Sequence, residues 1–137
     1  MITIQALLKL MMEKGASDLH LRAGVIPVFR IHGDLVRLPL EAFKPEEMDL
    51  FAQNLMNPSQ YSMFQKENEL DFAVGMKGVG RFRINAYRQR GTISFAIRSI
   101  KTQVPDFSEL FLPEVILDIA MHKRGLILVT GTTGSGK

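Results

Sequence analysis

The chain has 137 residues, 46% of them hydrophobic, and a formal net charge of +3 at pH 7, which suits one small domain with a buried core followed by the beginning of a second domain. Cysteine is absent, so disulfides and thiolate metal sites are excluded. Because the sequence shows no signal peptide and no apolar run of about 18 residues, we expect a protein of the cytoplasm or of a membrane surface.

Helices and strands are predicted mainly from the spacing of apolar residues. Thr3 is a helix N-cap and Gly15 a natural helix stop, and the alternation of polar and apolar residues at 17–22 indicates a half-buried strand. In chain order, the elements expected before residue 100 are a helix at 4–14, strands at 17–22, 28–31 and 35–38, helices beginning at Pro45 and Pro58, and strands at 70–74, 81–88 and 93–98. The buried stripe of the second helix is expected to be Met48, Phe51, Ala52 and Leu55. This order predicts an α+β fold in which helices pack on one antiparallel sheet.

From residue 102 onward, the sequence predicts a change from the antiparallel α+β fold to an α/β layer. Residues 102–113 contain two prolines and little periodicity, and we place a linker at 105–112. Pro113 then begins a helix that ends before Gly125, and the apolar run 126–130 is typical of a buried parallel strand of an α/β layer. Since this chain holds no sheet neighbours for that strand, we expect it to be disordered, docked on its own domain or paired with another molecule.

The last two strands of the predicted sheet form a hairpin. A two-residue turn at Arg90 and Gly91 sets their register and places Arg83 directly opposite Arg98. One face of the hairpin is then apolar and consists of Phe82, Ile84, Ala86, Ile93, Phe95 and Ile97. The other face is polar and carries Arg81, Arg83, Asn85, Tyr87, Ser94 and Arg98.

The polar face of this hairpin predicts an anion site. Residues 72–105 contain no Asp or Glu, and like charges opposite one another destabilise a strand pair. Arginine binds two phosphate oxygens with its planar fork, so Arg81, Arg83 and Arg98 are candidate phosphate ligands. The simpler alternative is a solvated basic face. Pairing of these arginines with carboxylates of their own sheet, such as Asp71, would favour that alternative.

The end of the chain matches a phosphate-binding loop. The pattern G-x-x-x-x-G-K-[ST] fits, apart from its final hydroxyl residue, Gly131, Thr132, Thr133, Gly134, Ser135, Gly136 and Lys137. Small residues allow backbone N–H groups to converge on phosphate oxygens, and Lys137 would supply a point charge to the β- and γ-phosphates. The missing hydroxyl would hold Mg²⁺, and no metal-ligand spacing occurs elsewhere in the chain. The alternative is a flexible glycine-rich tail.

Three separated motifs resemble one known family. They are Gly15–Leu21 (GASDLHL), Gly80–Asn85 (GRFRIN) and Arg124–Gly131 (RGLILVTG), the last of which runs into the phosphate-binding loop. In this order and spacing they are similar to the type IV pilus retraction ATPases, the PilT and PilU group of secretion-type hexameric motors. The resemblance covers the whole chain and identifies it as an N-terminal fragment that ends in the Walker A motif.

The resemblance implies a domain organisation and a role. Residues 1–104 would be a PAS-like N-terminal domain, 105–112 a linker and 113–137 the start of a RecA-like ATPase domain. A homo-hexamer would lie at the cytoplasmic face of the bacterial inner membrane, associated with it only peripherally, and act on the inner-membrane pilus platform protein. ATP hydrolysis would drive domain rotation and thereby pilus retraction and twitching motility, and no nucleic acid is expected as a partner.

The resemblance also implies the ligands and their residues. ATP and Mg²⁺ would be the cofactors, with Lys137 as the catalytic lysine of the phosphate loop. Arginines of the N-terminal domain close on the phosphates in this family, and Arg81, Arg83 and Arg98 hold the matching positions. The Mg²⁺-binding hydroxyl, the acidic strand motif and the catalytic glutamate of the family lie beyond Lys137. We therefore expect the fragment alone neither to hydrolyse ATP nor to bind it tightly.

Two other interpretations stay open at the level of sequence. One is a related pilus-assembly or type II secretion ATPase. The other is a basic binding or assembly module, whose arginine face contacts nucleic acid, anionic lipid or a neighbouring subunit. Only Tyr87 adds an aromatic ring to that face, whereas surfaces that bind single-stranded nucleic acid usually carry more of them.

Overall fold

The computed structural model describes residues 2–100 and 106–131, which divide into two compact units, Met1–Thr102 and Gln103–Lys137. The helices of the first unit are α1 (Ile4–Glu13), α2 (Pro45–Leu55) and α3 (Pro58–Glu67). Its strands are β1 (Asp18–Arg22), β2 (Val25–Ile31), β3 (Asp34–Arg37), β4 (Glu69–Met76), β5 (Gly80–Gln89) and β6 (Thr92–Ile100). The second unit contains a short 3₁₀ helix (Phe107–Leu110) and α4 (Val115–Ala120). None of the helices in the described ranges is long and apolar enough to cross a bilayer.

The strands of the first unit form a single antiparallel sheet in the order β3-β2-β1-β6-β5-β4. β1 lies in the middle of the sheet, with β2 on one side and β6 on the other. Strands from the beginning and the end of the unit are therefore direct neighbours. The predicted α+β fold, with helices packed on one antiparallel sheet, is confirmed.

The hairpin of β5 and β6 has the predicted register, with Arg83 paired to Arg98. Its turn residues Arg90 and Gly91 both have positive φ angles, 52° and 81°. This is the conformation of a two-residue type I′ turn, whose twist matches that of antiparallel strands. Every residue of the predicted apolar face is buried, namely Phe82, Ile84, Ala86, Ile93, Phe95 and Ile97.

The core lies on one face of the sheet, where the three helices pack against it. α1 begins at the predicted cap, because the Thr3 Oγ1 accepts a hydrogen bond from the Ala6 N–H at 3.2 Å. A capping box of Asn57 and Gln60 begins α3. α2 buries the predicted stripe, Met48, Phe51, Ala52 and Leu55. Since side chains alternate along a strand, the opposite face of the sheet receives the polar residues.

The second unit differs from the sequence prediction. α4 has six residues and is shorter than the helix predicted between Pro113 and Gly125. The run 126–130, predicted as a buried parallel strand, is in no strand, and side chains 126–129 are 58% to 84% exposed. A buried parallel strand needs neighbours to take its hydrogen bonds, and the described part of this unit contains no strand at all. The run therefore does not form a buried strand in this chain, which agrees with the expectation that it lacks sheet neighbours here.

Candidate functional site

A shallow groove lies on the polar face of the sheet and crosses four adjacent strands, β1, β6, β5 and β4. Its volume is about 260 Å³, and it is lined by Asp18, His20, Asp71, Arg83, Asn85, Ala96, Ile97 and Arg98. Residues two apart along a strand share a face, which explains how Asp18 and His20, or Arg83 and Asn85, enter it together. The groove thus gathers two arginines, two carboxylates, a histidine and an amide from distant parts of the sequence.

The two arginines of the groove occupy opposed positions on β5 and β6, but their guanidinium groups turn to opposite sides. Arg98 donates from Nε to the Asp18 Oδ1 on β1 at 2.8 Å. Arg83 donates from Nη2 to the Asp71 Oδ2 on β4 at 3.2 Å. The like charges are thereby drawn apart, which relieves the repulsion between directly opposed cations.

These ion pairs weaken the case for an anion site, because arginines paired with carboxylates of their own sheet are what the solvated basic face requires. The window without acidic residues is real, but β1 and β4 supply carboxylates from outside it. A lack of counter-charge is therefore no reason to assign a phosphate to this face, and the pairs count in favour of the simpler interpretation, a solvated basic face. Assignment of Arg83 and Arg98 to a phosphate then depends on the resemblance and on the geometry of the groove.

Asp18 is the most buried of the charged residues in the groove, with only 8% of the residue exposed. Its Oδ2 accepts a hydrogen bond from the Ser17 Oγ at 2.8 Å and lies 3.5 Å from the Arg30 Nε. Burial by itself raises the pKa of this carboxyl. Hydrogen bonds from Arg98 and Ser17, with the positive charges of Arg98 and His20, outweigh burial and hold the pKa below its usual 3.8.

Stability is expected to fall at acid pH because of Asp18. Its pKa is lower in the folded than in the unfolded chain, so its contribution is complete above the unfolded pKa and is lost as the pH falls through the folded pKa. Between about pH 5 and pH 2 the free energy of unfolding should drop more steeply for the wild type than for Asp18→Asn, which has no such proton to bind. Urea unfolding of both proteins across this range measures the difference. Parallel pH profiles would contradict the prediction.

The remaining cations of the hairpin lie outside the groove. Arg81 is on the same face as Arg83, is exposed, and forms no ion pair with the described residues. Arg88 has a structural role, because its Nη2 donates to the Gln65 Oε1 at 2.8 Å and its Cζ lies 5.4 Å from the centroid of the Phe64 ring. It therefore ties α3 to β5. The structure brings together two of the three predicted phosphate-binding arginines.

The predicted phosphate loop is represented by its first residue, Gly131, which is exposed. The other loop positions lie outside the described residues: Thr132, Thr133, Gly134, Ser135, Gly136 and Lys137. Their role stays a prediction from the sequence. Within residues 2–100 and 106–131, no group of His, Asp or Glu could hold a metal ion.

Asp18 is a member of the site that the sequence does not reveal. The alternation of residues 17–22 places Asp18 on the polar face of its strand, but no local pattern shows that Arg98, 80 positions away, is its partner. By contrast, Asp71 could be named from the sequence as a possible partner of Arg83, because β4 and β5 are consecutive in the chain and pair antiparallel. A useful signal would have been an acidic residue at the polar positions of each strand next to the hairpin.

No family model matches the chain. Over 133 residues it is 38% identical to the type IV pilus ATPase PilU of Pseudomonas aeruginosa, an alignment that covers 97% of this chain and 35% of PilU. Over 134 residues it is 39% identical to the type IV pilus retraction ATPase PilT of the same organism, with 98% of this chain and 39% of PilT covered. A crystal structure of the pilus retraction motor PilT with bound ADP matches with a TM-score of 0.81 and 40% identity, covering 100% of this chain and 40% of that chain. The chain therefore spans less than half the length of these relatives.

Proposed function

Since this chain belongs to the family of type IV pilus ATPases that includes PilT and PilU, we propose that the whole protein is an ATPase motor that retracts type IV pili and so drives twitching motility. The similarity to the PilT retraction motor carries the proposal, because it extends over the entire chain with 40% identity. A pilus-assembly or type II secretion ATPase is the alternative within the superfamily. The relatives named for retraction favour the first choice.

Nucleotide binds, in this proposal, at the phosphate loop that begins with Gly131 and ends with Lys137. Backbone N–H groups and the lysine ammonium meet the phosphate oxygens, and the related PilT crystal structure holds ADP. The hydroxyl residue that follows the lysine in the pattern would hold Mg²⁺, which neutralises charge on the β- and γ-phosphates when it is bound. Lys137 is the residue of this loop whose side-chain charge contributes directly to the chemistry.

The arginines of the groove are suited to a phosphate despite their carboxylate partners. The Arg83–Asp71 pair is exposed, with side-chain exposures of 67% and 52%, and such pairs contribute at most about 1 kcal/mol. A phosphate can therefore replace Asp71. Arg98 binds Asp18 through Nε only, and its terminal nitrogens donate to no acceptor among the described residues. We call Arg83 and Arg98, acting together on a phosphate, the arginine clamp. Arg81, two positions before Arg83 on the same face, would extend this clamp along β5.

The clamp supplies a link between nucleotide state and movement. In the proposed hexamer, a PAS-like N-terminal unit carries the arginines and a RecA-like domain carries the phosphate loop. Closure of guanidinium groups on the phosphates draws the two domains together, and loss of the γ-phosphate weakens that attraction. The resulting rotation acts on the pilus platform protein from the cytoplasmic face of the inner membrane.

Phosphate release by the purified whole protein tests the proposed function. We expect hydrolysis of ATP that requires Mg²⁺, in an assembly whose mass corresponds to a hexamer. The 137-residue chain, purified free of the whole protein, should release no phosphate because phosphoryl transfer depends on the metal and on residues beyond Lys137. Turnover by the fragment, or a whole protein without Mg²⁺-dependent hydrolysis, would refute the proposal.

A further inference from the structure

We propose that Asp18 is a positioning residue for Arg98, an inference that rests on the arginine clamp of the proposed function. The buried carboxylate holds the Arg98 Nε and leaves the terminal nitrogens, which donate to no acceptor among the described residues, available for the phosphates of a nucleotide. Asp71 has the opposite role, because it occupies one terminal nitrogen of Arg83, Nη2, until an anion replaces it. The groove then contains one arginine with a fixed orientation and one that exchanges partners.

Burial and several further contacts hold the Asp18 carboxylate in place for its hydrogen bond with Arg98. The Asp18 side chain is 11% exposed, and its second oxygen is held by Ser17 at 2.8 Å and by Arg30 at 3.5 Å. Arg30 is anchored in turn, because its Nη1 donates to the Gly33 carbonyl at 2.8 Å. Rotation of this carboxylate would break several charge-assisted contacts together. Arg98 therefore has an acceptor that several contacts hold in one orientation.

Attachment through Nε determines which donors of Arg98 are left for a ligand. A guanidinium group carries five N–H donors in one plane, and Nε has one of them. The terminal nitrogens keep the other four, on a side chain that is 72% exposed. A phosphate takes two parallel N–H bonds from such a group. Because Asp18 already orders the end of the side chain, binding loses less conformational freedom than it would at an unattached arginine.

The pair of Arg83 with Asp71 lacks this support. It consists of a single hydrogen bond of 3.2 Å from the terminal Nη2, and the Asp71 carboxylate accepts no other hydrogen bond from the described residues. Both side chains are more than half exposed. Asp71 therefore takes a donor that a phosphate would use, whereas Asp18 takes one that a phosphate does not need.

Two substitutions that each remove one negative charge separate positioning from simple electrostatics. Both Asp18→Asn and Asp71→Asn make the groove more positive, so electrostatics alone predicts tighter anion binding for both. A positioning role of Asp18 predicts that the two substitutions change the affinity in opposite directions. Affinity of the 137-residue chain for inorganic pyrophosphate should weaken about threefold to tenfold in Asp18→Asn, since a side chain must then be ordered on binding. It should strengthen about twofold in Asp71→Asn, since an exposed ion pair no longer competes.

NMR of isotope-labelled arginine side chains follows the binding and supplies a second measurement on the wild type, which is independent of how the variants fold. On addition of pyrophosphate, the terminal nitrogens of Arg98 and Arg83 should shift. The Nε signal of Arg98 should keep its position, because Asp18 holds that donor in both states. A larger shift at Nε than at the terminal nitrogens would show that the anion displaces Asp18.

The outcomes distinguish this inference from the proposed function. Unchanged or tighter binding by Asp18→Asn, or displacement of Asp18 in the wild type, overturns the positioning role while the clamp stands. Absence of any response of Arg83 and Arg98 to pyrophosphate in the wild type overturns the clamp and the positioning role together. Weaker binding in Asp18→Asn with tighter binding in Asp71→Asn supports both.

Discussion

Charge reversal at Arg83 in the whole protein should lower the rate of ATP hydrolysis at least about a hundredfold and leave ring assembly intact. An arginine that stabilises charge on a transferring phosphoryl group contributes roughly a thousandfold or more in rate, and glutamate in its place adds repulsion. Folding should change little, because the Arg83 side chain is 67% exposed and its pair with Asp71 is a surface pair. Phosphate release and native mass measurement of Arg83→Glu test the two halves of this expectation.

Arg90→Glu is the matched control for this variant. Arg90 is an exposed residue at the turn of the same hairpin and lies outside the groove, so an identical change of charge is made nearby. Only Arg83→Glu should lose ATPase activity. Similar losses in both variants, with binding to DNA or anionic vesicles that weakens steeply with salt, would favour a basic binding surface. Loss of the ring in Arg83→Glu would favour a contact with a neighbouring subunit.

Truncation of Leu19 to alanine should reduce the free energy of unfolding of this chain by about 3 to 5 kcal/mol. Leu19 is fully buried in the middle strand β1, where its Cα partners are Phe29 on β2 and Ile97 on β6. Both neighbours are themselves buried in the core, so the space left by the side chain cannot collapse easily. Because small domains are stable by only about 5 to 15 kcal/mol, much of the chain would be unfolded at moderate urea concentrations.

Leu35→Ala makes the same chemical change in the same sheet and serves as the control. Leu35 is in the edge strand β3 and is 61% exposed, so its truncation should alter stability by no more than about 0.5 kcal/mol. Urea unfolding followed by circular dichroism gives both values. Equal effects of the two variants would mean that β1 is not in the middle of the sheet in solution.

The elements of the first unit could be predicted because their signals are local. The buried stripe of α2 follows from helical spacing, and the register of β5 against β6 follows from a two-residue turn at Arg90 and Gly91. Once such a turn forms, every pair of the hairpin is determined, and a slip by one residue would expose the apolar face. The opposition of Arg83 and Arg98 could therefore be inferred without a structure.

The partners of those arginines could not be inferred in the same way. Residues 17–22 alternate like any half-buried strand, and nothing in the alternation shows whether β1 lies at an edge or in the middle of the sheet. Its placement next to β6 joins Asp18 to Arg98 across 80 positions. The apolar run 126–130 is a second case in which local sequence is not enough. Its composition predicts a buried strand, but burial requires neighbouring strands, which its own sequence does not specify.

By itself, the sequence determined the helices of the first unit, the hairpin with its arginine face, the phosphate-loop motif and, through three separated motifs, the family. These features depend on contacts between residues close in the chain or on residue types at set spacings. Tertiary structure alone decided that carboxylates from β1 and β4 meet the arginines, and that one of these carboxylates is buried and the other exposed. The physical reason is that strand order and burial depend on how all the strands and helices pack together.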